Sequence, residues 1–122
     1  QKMQLLLLRH FHCNTSNEVS SIGLQQLDVV VHKLKSHHIT SVLATDHLRV
    51  TNSARLLCDL LSLKLVLLET KFIDCINNLQ KGEDVLVLSQ QPILAEIASF
   101  KSKKTYALSC FPTGKLVEVK VP

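Results

Sequence analysis

The chain contains no tryptophan, and aromatic residues make up only 4% of it. Glycine and proline are nearly as scarce, with three of each. With so few breakers, long irregular tracts are not expected. The low aromatic content also removes the stacking platforms on which single-stranded nucleic acid is usually held. No apolar run approaches the roughly 18 residues that a membrane helix needs. The apolar stretch at Leu5–Leu8 is too short for a signal peptide, and polar residues follow it instead of a small-residue cleavage site. Neither a membrane nor a nucleic-acid partner is therefore expected, and a cytoplasmic location is. The cysteines, Cys13, Cys58, Cys75 and Cys110, lie far apart with no CxxC pair. That spacing suits neither a zinc site nor a disulfide framework, so reduced thiols are the expectation.

What remains is an ordinary globular composition. Hydrophobic residues account for 46% and charged residues for 20% of 122 positions. This is enough chain to bury a core, and a single domain over residues 3–122 is expected. The formal charge of +4 favours an anionic ligand. Lys101, Lys103 and Lys104 form the one basic cluster, which reads as a solvated loop.

Apolar runs alternate with helical periodicity. Leu5–Leu8 reads as a strand buried on both faces. A helix capped by Ser20 or Ser21 follows, with Leu24, Leu27, Val31 and Leu34 on its inner face. Ser41–Thr45 is a second strand, and Asp46 is the expected cap of a helix with Val50, Ala54, Leu57 and Leu61 inward. Leu65–Leu68 and Asp84–Leu88 make two more strands, and Pro92 opens a short helix. Thr70–Gly82 is weakly patterned. Thr105–Cys110 and Lys115–Val121 are expected to be strands around a turn at Pro112–Gly114. Such alternation predicts an α/β fold: a three-layer α/β/α sandwich around a mainly parallel sheet.

In sheets of this kind, ligands bind beyond the carboxyl ends of the strands. Arg9 and His10 follow the first strand, Asp46, His47 and Arg49 the second, and Gln90 the fourth. Arginine forks match phosphate oxygens in a bidentate way. A neutral imidazole between them can attack phosphorus, forming a phosphohistidine that water then hydrolyses. Either arginine alone would more often pair with a carboxylate at a helix end. Two arginines and His10 on one rim favour a phosphoryl site.

At this point the motifs resemble a known family. LLLLRH is similar to the strand and RH(G) signature of the histidine phosphatase superfamily, which includes phosphoglycerate mutase-like enzymes. SSIGLQQL resembles its L-T-x-x-G-x-x-Q helix start, with Gly23 and Gln26 in register. SVLATDHLRVTNSA is similar to its S-S-P-x-x-R-A-x-x-T-A segment, VLVLSQQP to its V-G-H-N-P segment, and FPTGKLVEV to its closing P-T-G strand. The small size and P-T-G ending resemble the SixA-type phosphohistidine phosphatases. The resemblance implies a nucleophilic His10, a phosphoryl group held by Arg9 and Arg49, and no cofactor; the Gln90 amide is a further candidate donor to the phosphoryl oxygens. It also implies a phosphorylated partner: a protein phosphohistidine or a small phosphorylated molecule, with inorganic phosphate as product.

The sequence departs from the pattern at informative places. Gln90 stands where the family has a second catalytic histidine, and Phe11 replaces a glycine, where a bulky ring either crowds the pocket or narrows the options of the backbone. Reduced activity follows, and the alternative is an inactive relative that binds phosphate or a phosphoprotein. His12, His47 and Asn14 are candidate auxiliary groups on the rim. Glu69 is the nearest candidate acid, although a structural role suits it better, and the lack of an acid suits a phosphohistidine, whose protonated imidazole leaves readily. His32, His37 and His38 read as surface residues. Two other chemistries fail. His12-Cys13 begins like an HCx5R phosphate loop, but Val19 occupies the arginine position. His10-x-His12 is similar to the metal pair of amidohydrolases, whose barrel needs about 250 residues; no metal is expected.

Overall fold

A computed structural model of the chain describes residues 4–68, 76 and 84–122. Its elements run β1 (Gln4–Arg9), α1 (Ser21–Leu34), β2 (Ser41–Thr45), α2 (Leu48–Leu61), β3 (Lys64–Leu68), β4 (Val85–Ser89), α3 (Ile93–Ser102) and β5 (Leu116–Lys120). The sheet order is β3-β2-β4-β1-β5. All pairings are parallel except that of β5, which lies antiparallel to β1. The expected α/β architecture with a mainly parallel sheet is observed. Glu69, Cys75 and the Thr70–Gly82 stretch lie outside the described residues, save Ile76.

The four leucines of β1 show why an uninterrupted apolar strand is needed. All are completely buried, but they alternate between two cores. Leu6 and Leu8 pack with Leu27, Val30, Val50, Ala54 and Leu57 beneath α1 and α2. Leu5 and Leu7 pack with Ile76, Leu94, Ile97, Phe111 and Val119 on the α3 side. Each buried leucine contributes about 1.5–3 kcal/mol relative to exposure, so both layers are anchored on the central strand. The loop after β1 leads to the α1–α2 face, whereas the loop after neighbouring β4 leads to α3. Their divergence opens a crevice at the carboxyl end of the sheet.

Several local expectations are corrected. Ser20 does cap α1, its hydroxyl accepting from the Gly23 N–H at 3.1 Å. The buried stripe of α1, however, is Gly23, Leu27, Val30 and Leu34, and Leu24 is 47% exposed. The helix is rotated because the loop carrying His12 crosses directly over Gly23. His47, not Asp46, is the cap residue of α2, and it makes no side-chain capping bond. Thr105–Cys110 is not a strand. It holds a single 3₁₀ turn at Leu108–Cys110, and the edge of the sheet beside β1 is taken by β5 alone. His37 is not a free surface residue. Its ring lies 3.0 Å from Asp84 and 3.1 Å from Glu118. It ties the start of β2 to the start of β4 and to β5, at the end of the sheet opposite the crevice.

Gly23 marks the tightest of these contacts. A Cβ there would fall inside the contact radii of the His12 carbonyl oxygen and a Val19 methyl. Backbone cannot yield as a flexible side chain can. Gly23→Ala is therefore expected to lower stability by about 1–3 kcal/mol, visible as a fall in Tm.

Candidate active site

A pocket of about 370 Å³ occupies the crevice. Arg9 and His10 enter it from the end of β1, His47, Leu48 and Arg49 from the start of α2, and Gln90 and Gln91 from the end of β4. Asn17, from the loop before α1, closes one side. A larger groove of about 680 Å³ lies near the end of α1, lined by His32, Lys33, Lys35 and Glu118. It mixes charges of both signs and gathers none of the residues that follow the strands, so the smaller pocket is the chemical one.

The His10 ring is oriented by its own chain. Its Nδ1 lies 2.9 Å from the Phe11 carbonyl oxygen. A carbonyl only accepts, so Nδ1 carries the proton and Nε2 keeps its lone pair. The neighbouring backbone is held just as firmly: the His10 N–H donates to the Ser89 carbonyl at 3.0 Å, and the Phe11 N–H donates to the Ser53 hydroxyl at 3.0 Å. Burial pushes the His10 pKa below its ordinary value of 6.5. The Phe11 carbonyl opposes that shift, and the positive charges of Arg9 and Arg49, with His12 beyond them, reinforce it.

The guanidinium of Arg9 donates from Nη1 to the Phe111 carbonyl at 3.3 Å, and its buried Nε has no hydrogen-bond partner among the described residues. A buried donor left unmatched costs about 1–3 kcal/mol, a cost that an oxyanion in the pocket can relieve. Arg49 donates from Nε to the Asn17 side-chain oxygen at 2.9 Å. Asn17 sits in the left-handed region, at φ 67°, and its carbonyl accepts from Asn52. The loop before α1 is thereby fastened to α2, and Arg49 is aimed.

The structure brings Arg9, His10, His47, Arg49 and Gln90 together in one pocket. His12 and Asn14 do not line it. The His12 ring pairs with the Ser20 hydroxyl at 2.7 Å, and the His12 backbone N–H donates to the Gln26 side-chain oxygen at 2.8 Å. The Asn14 side-chain oxygen accepts from Ser16 and Glu18, folding the loop as an Asx turn. Phe11 does not crowd the pocket; it is fully buried in the core beneath α1 and α2. The Cys13 thiol is pushed up by burial, which leaves it a poor nucleophile. Asn17 was missed by sequence reasoning, although an asparagine in a polar turn is a standard signal for positive φ. Among the described residues, no group of three or more histidine, cysteine or acidic side chains is placed to hold a metal. No described helix is long and apolar enough to cross a membrane.

Comparison with solved structures gives close matches over almost the whole chain. A protein named as the phosphohistidine phosphatase SixA of Agrobacterium tumefaciens superposes with a TM-score of 0.73 at 11% identity, covering 97% of this chain and 91% of that one. The chain has the histidine phosphatase fold. The alpha-ribazole phosphatase of Shigella flexneri gives 0.69 at 13% identity, covering 98% and 91%. The phosphoglycerate mutase of Plasmodium falciparum gives 0.62 at 15% identity, covering 97% and 89%. No family model matches the sequence, and neither does any curated protein. At these identities the likeness is one of fold, and within the histidine phosphatase fold the crevice at the strand ends is where this chain gathers its arginines and His10.

The lowered His10 pKa has a consequence for stability with a definite sign. In the unfolded chain the ring binds a proton at higher pH than in the folded protein. His10 therefore adds stability above about pH 6.5 that is lost as the pH falls through the lowered folded value. An NMR titration of the ring is expected to have its midpoint below 6.5, and His10→Gln should flatten the decline of Tm on acidification.

Proposed function

We propose that this chain is a phosphatase that removes the phosphoryl group from phosphohistidine, through a covalent intermediate on His10, at a reduced rate. The observation that carries this reading is the unprotonated Nε2 of His10 in a pocket shared with two guanidinium groups. In the first step Nε2 attacks phosphorus, and the bond to the leaving imidazole breaks. Arg9 and Arg49 neutralise the equatorial oxygens, which bear most of the transition-state charge. No carboxylate lines the pocket among the described residues. An imidazole leaving group is protonated on its own ring and departs without an enzyme acid, whereas an alkoxide would need one. That chemistry favours a phosphoramidate, such as a protein phosphohistidine, over an alkyl phosphate. The names borne by two of the structural neighbours, phosphohistidine phosphatase and alpha-ribazole phosphatase, support a phosphatase.

Gln90 favours a second reading, a module that binds phosphate or a phosphorylated protein without turning it over. Its amide can donate to a phosphoryl oxygen but brings no charge. Phosphoramidate and a phosphohistidine peptide separate the two readings. The enzyme is expected to release inorganic phosphate and to yield, on quenching in alkali, an acid-labile phosphoryl adduct at His10. Phosphate binding with neither adduct nor turnover would establish the module instead.

A further inference from the structure

Resting on that reading, the pocket must supply one function that His10 cannot. Once Nε2 carries the phosphoryl group, the intermediate has to be hydrolysed, and the attacking water must lose a proton. The phosphorylated ring cannot accept it, because its other nitrogen is engaged with the Phe11 carbonyl. The guanidinium groups of Arg9 and Arg49 are donors with no acceptor site for a proton. Asn17, Gln90 and Gln91 have no basic atom, and Leu48 has no polar one. Among the described residues lining the pocket, this leaves His47.

We propose that His47 is the general base for the second step. Its ring is held in place for that work. The His47 backbone N–H donates to the Thr45 carbonyl at 2.9 Å, and the ring Nδ1 lies 3.2 Å from the Thr45 hydroxyl. That hydroxyl is in turn 2.8 Å from the hydroxyl of Ser89. Thr45 and Ser89 are both buried, at the carboxyl ends of β2 and β4. The two hydroxyls can accept an Nδ1–H, and in that tautomer Nε2 presents a lone pair with no bond to any described residue. In the reaction, the water oxygen bonds to phosphorus and the bond from phosphorus to His10 Nε2 breaks. Its electron pair returns to His10, and the water proton passes to His47 Nε2. The products are inorganic phosphate and a protonated His47, which returns its proton to solvent before the next cycle.

Rapid-quench kinetics of His47→Gln on phosphoramidate test this assignment. The first-turnover burst of phosphorylated His10 is expected to persist, showing both that the variant folds and that His10 is intact. Steady-state kcat should fall about a hundredfold, while kcat/KM, set by formation of the phosphoenzyme, stays within about threefold. His47→Asn should behave likewise. Unchanged breakdown of the phosphoenzyme in both variants would overturn the assignment, as would a loss of breakdown in Glu69→Gln with none in His47→Gln. Absence of any phosphoenzyme in the unsubstituted protein would overturn the His10 reading itself, and the two failures are told apart by the burst.

Discussion

His10→Ala is expected to leave phosphoramidate hydrolysis at the uncatalysed background, a loss of at least about a thousandfold. Among the other described residues of the pocket, His47 alone carries a nitrogen lone pair, and its proposed work is on the water of the second step. Arg9 and Arg49 lack a lone pair, and the burial-raised thiol of Cys13 is mostly protonated at neutral pH. The same substitution should leave the site able to bind phosphate. Both guanidinium groups are positioned by partners other than His10: the Phe111 carbonyl for Arg9 and Asn17 for Arg49. Calorimetric titration with inorganic phosphate is expected to show affinity within a few-fold of the unsubstituted protein. A retained hydrolysis rate would place the nucleophile elsewhere in the chain.

The second large effect runs in the opposite direction. Gln90→His is expected to raise the rate of phosphate release by about a hundred- to thousandfold. One preorganised donor to a developing oxyanion is worth about 2.7–4 kcal/mol, and the imidazolium adds a charge that the amide lacks. Everything else needed is already present. Gln90 follows β4, whose register against β1 pairs Ser89 with Arg9, so a histidine at this position enters the pocket opposite the nucleophile. Phe11 leaves the space open, because its ring is packed in the core. Measuring release from phosphoramidate in the two proteins side by side checks this. An unchanged rate would show that the pocket binds phosphate without the geometry for attack.

The run LLLLRH was readable because two simple rules meet in it. An apolar strand without alternation demands burial on both faces, and an abrupt polar end demands a site. The failures have physical causes. Leu24 and Val30 cannot be ranked by periodicity alone, since the rotation of α1 is decided by the close passage of the His12 carbonyl over Gly23. Thr105–Cys110 carries strand-forming residues, yet β5 occupies the one edge available beside β1. His37 acquires its role from Asp84 and Glu118, which lie 47 and 81 residues away. The direction of Phe11 was open in the sequence, and packing against the α1–α2 core decides it.

The sequence by itself determined the layers, the strand ends and the residue types available there, because burial and periodicity are local properties of the chain. Tertiary structure alone decided which of those residues share a pocket and in what state. The tautomer of His10, the aim of Arg49 and the seating of His47 each depend on an oxygen atom supplied by a folded backbone or by another loop. No spacing along the chain encodes where such an oxygen will point.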